Sequence, residues 1–200
     1  MAVPPSKFIL VTGPPGVGKT TLVMRIIENL RASHPHLKIR GFYTREIREG
    51  SERVGFEVYT LDGWRGQLAL STTSRESVKW PSVGKYKVDL ASFDAMALPA
   101  LEVREGTDLF IIDEIGKMEL FSSSFFPVVL NVLQSNIPIL ATIPMPKYGR
   151  DIPEVVRLRN HPGVIVNTLT NGNRDTMRET IYNHIISLLP KHSLNDARIE

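Results

Sequence analysis

A chain of 200 residues, 42% hydrophobic and 22% charged, carries enough apolar material for one domain with a sizeable core. Its formal charge of +3 is too small an excess to predict a nucleic-acid partner, and the absence of cysteine excludes disulfides, thiolate chemistry and Cys-based zinc sites. The first apolar run, FILVT, is too short for a secretory leader and nothing later is long enough to span a bilayer, so a soluble, cytoplasmic protein without membrane contact is expected.

FILVT (residues 8–12) is a continuous apolar run, as a strand covered on both faces requires. After a glycine-rich turn, Leu22, Val23, Ile26, Ile27 and Leu30 recur at helical spacing, and Pro35 ends that helix. IRGFYTREI and RVGFEVYTL flank REGSE and predict a β-hairpin. Its charges, among them Arg45, Glu46, Arg48 and Arg53, nearly cancel and predict a solvated face. Residues 62–85 hold Trp64, Trp80 and little periodicity, and read as an irregular excursion. YKVDL is a short strand, and SFDAMALPALEV a helix broken or kinked at Pro99. LFIID, PILATI and GVIVN follow as strands. SFFPVVLNVLQ, PEVVRLRN and RDTMRETIYNHIISLL are the helices between and after them.

Apolar strands alternating with helices predict an α/β fold, with a mostly parallel central sheet, helices on both faces and the added β-hairpin. The expected organisation is one domain over 1–190 and a polar tail over 191–200. Ligands of such sheets sit beyond the carboxyl ends of the strands, here the loops after Thr12, Asp113, Ile143 and Asn167.

The first of these loops is GPPGVGKT, residues 13–20, which fits G-x-x-x-x-G-K-[ST] between a strand and a helix. Gly16 and Gly18 let the backbone turn so that its N–H groups converge on phosphate oxygens. Lys19 supplies a mobile positive charge, Thr20 a hydroxyl for Mg2+, and the helix its positive dipole end. The pattern predicts a nucleoside-triphosphate site.

FIIDEIGKMEL follows the same logic at a second strand end. Magnesium keeps several waters and wants one or two carboxylates beside phosphate oxygens, a role that Asp113 fits. Glu114, one residue on, points elsewhere and can act as general base or water positioner. A second acid directly after the magnesium acid favours hydrolysis over phosphoryl transfer to a bound hydroxyl. Gly116 permits close backbone approach. Lys117 either stabilises charge on the γ-phosphoryl or pairs with Glu119 or Glu114.

GPPGVGKT, GFYT, VGF, IDEIGKMEL and TIP, in this order, resemble the cancer-related nucleoside-triphosphatase family from Phe8 to about Leu189. The resemblance implies a RecA-like P-loop fold and Mg2+-dependent hydrolysis of several nucleoside triphosphates, ATP and GTP among them. Carried over by residue, it implies nucleotide contacts at Gly13, Pro14, Pro15, Gly16, Val17, Gly18, Lys19 and Thr20, with Thr21 adjoining. A second contacting stretch would comprise Leu109, Phe110, Ile111, Ile112, Asp113, Glu114, Ile115 and Gly116. Asn173 and Arg174 of TNGNRD follow the last strand, where P-loop proteins often hold the base or sense phosphate.

Other features are open to two readings. Phe42 and Tyr43 either stack on a base or are core and edge; Thr142 stands where a γ-phosphate sensor is often placed. The five histidines show no metal-ligand spacing. Two alternatives to a hydrolase share the cradle: a P-loop kinase for a nucleoside, nucleotide or RNA end, and a nucleotide-dependent switch whose protein partner the sequence does not name.

Overall fold

The computed structural model describes residues 6–71, 79–146 and 149–190. In chain order the strands are β1 (Phe8–Thr12), β2 (Ile39–Glu49), β3 (Glu52–Thr60), β4 (Arg65–Leu70), β5 (Ser82–Val83), β6 (Tyr86–Val88), β7 (Leu109–Ile112), β8 (Ile139–Thr142) and β9 (Val164–Thr168). The helices are α1 (Lys19–Ser33), α2 (Leu90–Ala100), α3 (Phe125–Gln134), α4 (Pro153–Arg159) and α5 (Arg174–Leu188).

All nine strands join one sheet in the order β5-β6-β4-β3-β2-β7-β8-β1-β9. From β2 to β9 the pairings are parallel, as continuous apolar strands require. From β2 to β5 they are antiparallel. The parallel core and the β2–β3 hairpin match the sequence expectation, but the antiparallel part is larger than one hairpin. Residues 65–70, expected to be irregular, form β4, because β3 offers a free edge and α2 covers Leu68 and Ala69. That stretch has one buried pair and a glycine, so its alternation is too short to show in the sequence. The segment 72–78 of the same excursion, and the tail 191–200, lie outside the described residues.

Alternation along each central strand fills two cores. Phe8 and Leu10 of β1, with Phe110 and Ile112 of β7, face the side that α2, α3 and α4 cover. Ile9 and Val11, with Leu109 and Ile111, face α1 and α5. On the first side Phe42, Phe93 and Phe125 form a ring cluster, with centroids 5.2–5.9 Å apart. Asp89 caps α2 by accepting the Ser92 N–H at 3.0 Å. Pro99 falls in the last turn of α2 and coincides with its end rather than a mid-helix break. Among the described residues, no helix is long and apolar enough to cross a membrane.

Candidate active site

The glycine-rich loop joins β1 to α1. Gly16 and Gly18 have φ of 74° and 100°, the left-handed region that favours glycine. Gly13 is required for space: a Cβ there would lie 2.7 Å from the Leu169 carbonyl oxygen. The Leu22 N–H bonds back to the Gly18 carbonyl at 2.9 Å. By helix geometry the amides just before it are left without a backbone acceptor and gather at the positive end of α1. Pro14, Pro15, Gly16 and Thr21 are exposed, Val17 is buried, and Gly18, Lys19 and Thr20 are half-buried. The Lys19 ammonium folds back onto the Gly13 carbonyl at 3.3 Å.

Arg174 opens α5 and reaches this loop. Its Nε donates to the Val17 carbonyl at 2.8 Å, and a terminal nitrogen donates to the Asn171 side chain at 2.7 Å. Asn173 holds the preceding turn, accepting the Thr170 N–H and donating to the Thr168 carbonyl. Arg174 is thus a brace on the outside of the phosphate loop.

Asp113 follows β7 and is fully buried. Its Oδ1 accepts the Thr142 hydroxyl at 2.7 Å, and its Oδ2 has no hydrogen-bond partner. Burial pushes its pKa up; Thr142, Thr20, the Thr44 amide and the charge of Lys19 oppose that. Thr20 and Thr44 therefore stand close enough to favour the ionised form, without bonding geometry to Oδ2. A buried carboxylate oxygen lacking a partner, beside the Thr20 hydroxyl and Lys19, fits a divalent cation that arrives with phosphate. No group of three acidic or histidine side chains forms a metal cluster among the described residues. The cation would accordingly depend on Thr20, Asp113 and the ligand's own oxygens. Thr142, which stands where a phosphate sensor is often placed, is fully buried and donates its hydroxyl to Asp113.

Beyond Asp113 the chain turns sharply. Glu114 is half-buried, and the Glu119 carboxylate folds back to accept the Gly116 N–H at 3.2 Å. A Cβ on Gly116 would lie 3.0 Å from Glu114 Oε1 and 3.2 Å from Glu119 Oε2, so the glycine lets two carboxylates approach one point. Glu119 is only 4% exposed, and its pKa is raised to about 8, first by burial and then by the charge of Glu114. The sequence pattern offers Glu119 only as a partner for Lys117. The signal was an acid set among Met118, Leu120 and Phe121. Lys117 itself is exposed.

Leu109, Phe110, Ile111, Ile112 and Ile115 are fully buried, and the strand carries Asp113 and Glu114 to the site. Phe42 belongs to the core ring cluster, while Tyr43 stacks on Tyr59 with centroids 5.5 Å apart. The Arg45 guanidinium lies 5.2 Å from both tyrosine rings.

The phosphate loop and the two-acid turn thus flank β8 at the carboxyl ends of the parallel strands. The profile of the NTPase family matches residues 8–182. The chain belongs to this family. The human cancer-related nucleoside-triphosphatase is 42% identical over 182 residues, covering 85% of this chain and 92% of that protein. The nucleoside-triphosphatase THEP1 of Thermotoga petrophila is 43% identical over 178 residues, covering 87% and 90%. The solution structure of a human cancer-related nucleoside triphosphatase superposes with a TM-score of 0.76 at 40% identity, covering 91% of this chain and 98% of that one. The crystal structure of THEP1 from Aquifex aeolicus gives 0.72 at 37% identity, covering 86% and 95%. Membership of the NTPase family accounts for the P-loop fold, with β8 inserted between the loop strand and the acid strand.

Proposed function

We propose that this chain hydrolyses nucleoside triphosphates, ATP and GTP among them, to the diphosphate and phosphate, with Mg2+ and little discrimination between bases. The observation that carries the reading is the pairing of a buried Asp113, one oxygen without a partner, with a separate Glu114 one residue on. The names of the relatives support it.

Thr20 and Asp113 would hold the metal, which when bound neutralises charge on the phosphate oxygens. Lys19 leaves the Gly13 carbonyl, a weak contact at 3.3 Å, and turns to the β and γ phosphates. The amides at the start of α1 cradle the same oxygens. Arg174 keeps the loop in register through Val17, and Lys117, an exposed cation three residues past Glu114, approaches the transferring group. Glu114 orients the attacking water and takes its proton. Loose base preference follows from contacts made to phosphate, which every nucleoside triphosphate shares.

The test is phosphate release from Mg2+ATP and Mg2+GTP with no acceptor added, for the native chain and Glu114→Gln. The native chain turns over both nucleotides. The variant binds nucleotide and loses turnover by about 100-fold or more. A native chain that binds nucleotide and releases no phosphate refutes hydrolysis. Acceptor-dependent diphosphate formation would then identify a kinase, and partner-dependent turnover a switch.

A further inference from the structure

The sheet has a second concave surface at its other pole. A cleft of ≈ 370 Å³ opens where β2 begins and β7 is entered, with Arg31, Lys38, Arg40 and Arg104 on its walls. Its far wall at Thr107 lies six residues, or about 20 Å along a strand, from Asp113, and its near wall at Gly41 is in register with Ile111, so the cleft opens below the level of the acids.

Two of its cations are held in place by backbone. Arg31 donates to the Leu61 carbonyl at 2.8 Å, and Arg40 donates to the Pro99 carbonyl at 2.7 Å. Each bond uses one N–H and leaves others for a ligand. The Arg40 Nε–H is buried without an acceptor, so this side chain gains by turning toward an anion. Arg104 is engaged by Glu102, and the Lys38 backbone N–H donates to the Asp108 carboxylate at 2.9 Å, whereas Arg31 and Arg40 donate to carbonyls. Asp62 and Glu105 on the rim and Asp108 behind Lys38 offset the cations in net charge, so an anion is held by the local placement of donors, which suits one small group rather than a polyanion.

Between the cations the floor is apolar, formed by Leu37, Ile39, Leu61 and Ala100. Inorganic phosphate would satisfy the cations and leave that floor wet. An organic phosphate satisfies both, and the volume suits a small molecule. We propose that this cleft is a binding site for a small organic phosphate, whose phosphoryl group is taken by Arg31, Lys38 and Arg40 and whose body lies on Leu37 and Leu61. The site is distinct from the phosphate loop and does not depend on hydrolysis there.

The experiment uses the full chain, labelled with 15N, with the phosphate loop saturated by Mg2+ and a non-hydrolysable ATP analogue. Glucose 6-phosphate and adenosine 5′-monophosphate are titrated separately, against glucose, inorganic phosphate and sodium chloride at matched ionic strength. At least one organic phosphate is expected to give saturable shifts at the Lys38, Gly41 and Leu61 amides. Glucose gives none, and inorganic phosphate binds more weakly. Arg40→Gln weakens the organic phosphate about ten-fold or more at an unchanged melting temperature, and Lys38→Gln replaces it if the first variant fails to fold. Shifts that chloride reproduces, shifts confined to residues 13–20, or affinities unchanged in the folded variant overturn the proposal. Equal affinity for inorganic phosphate overturns the role given to the apolar floor.

Discussion

Glu119→Gln separates the charge of Glu119 from its shape. In the native protein this carboxyl is buried against Glu114 and titrates near pH 8 rather than at its ordinary 4.5. Folding therefore favours its protonated form. At pH values between those two figures the folded chain binds a proton that the unfolded chain releases. The stabilising contribution is full below about pH 4.5 and is lost progressively as pH rises toward 8, at up to about 1.4 kcal/mol per pH unit. Glutamine has the same outline, can accept the Gly116 N–H as Glu119 does, and does not titrate. Burial also raises Asp113, and since Glu119 is mostly protonated and uncharged below its own raised pKa, the Asp113 shift is nearly the same in both proteins over the range measured. Urea unfolding of the two proteins at pH 5, 6 and 7, read by circular dichroism, gives the difference directly. The variant should gain on the native chain by roughly 2 kcal/mol between pH 5 and 7. A difference that stays flat across that range would show that Glu119 is ionised in the folded state, and the burial argument would fail.

Gly116→Ala adds a methyl against both carboxylates, so phosphate release should fall while nucleotide binding is kept; unchanged turnover would mean that the turn yields freely. Thr142→Val removes the hydroxyl donated to buried Asp113 and should cost about 1–3 kcal/mol in urea unfolding. It should also leave more of Asp113 protonated, so the metal requirement for nucleotide binding, read by titration calorimetry, rises. Arg174→Gln releases the brace on the Val17 carbonyl and should raise KM more than it lowers kcat, whereas an equal loss in kcat and kcat/KM would assign it a transition-state role.

The parallel half of the fold was legible because its strands are buried on both faces. β1, β7 and β8 are unbroken apolar runs that no surface segment could carry, and each is followed by helical spacing. In the antiparallel wing the β2–β3 hairpin and the YKVDL strand β6 were legible too; β4 was not, although it follows β3 closely, because its alternation holds a single buried pair. Within the site, the phosphate loop and the order of Asp113 and Glu114 were readable from local pattern alone. The Thr142 to Asp113 bond joins residues 29 apart, and the Arg174 to Val17 bond residues 157 apart. No local spacing encodes such contacts. Gly116 was singled out for close approach, but what approaches it inside the fold is a pair of carboxylates from the same turn.

The insertion of β8 has a mechanical consequence. At its end, the Thr142 carbonyl accepts the Ile115 N–H of the acid turn at 2.8 Å, and the Ile143 N–H donates to the Val11 carbonyl beneath the phosphate loop at 2.9 Å. Successive backbone groups of one strand thus fasten both halves of the active site, like a shared rivet. Two inter-strand spacings, roughly 9–10 Å, set the gap across which loop and acids face each other. That gap cannot widen on one side without breaking a central sheet bond. The floor between loop and acids thus has a fixed width, and the Lys19 ammonium above it, held by the Gly13 carbonyl at 3.3 Å, is a group that can swing without breaking the sheet.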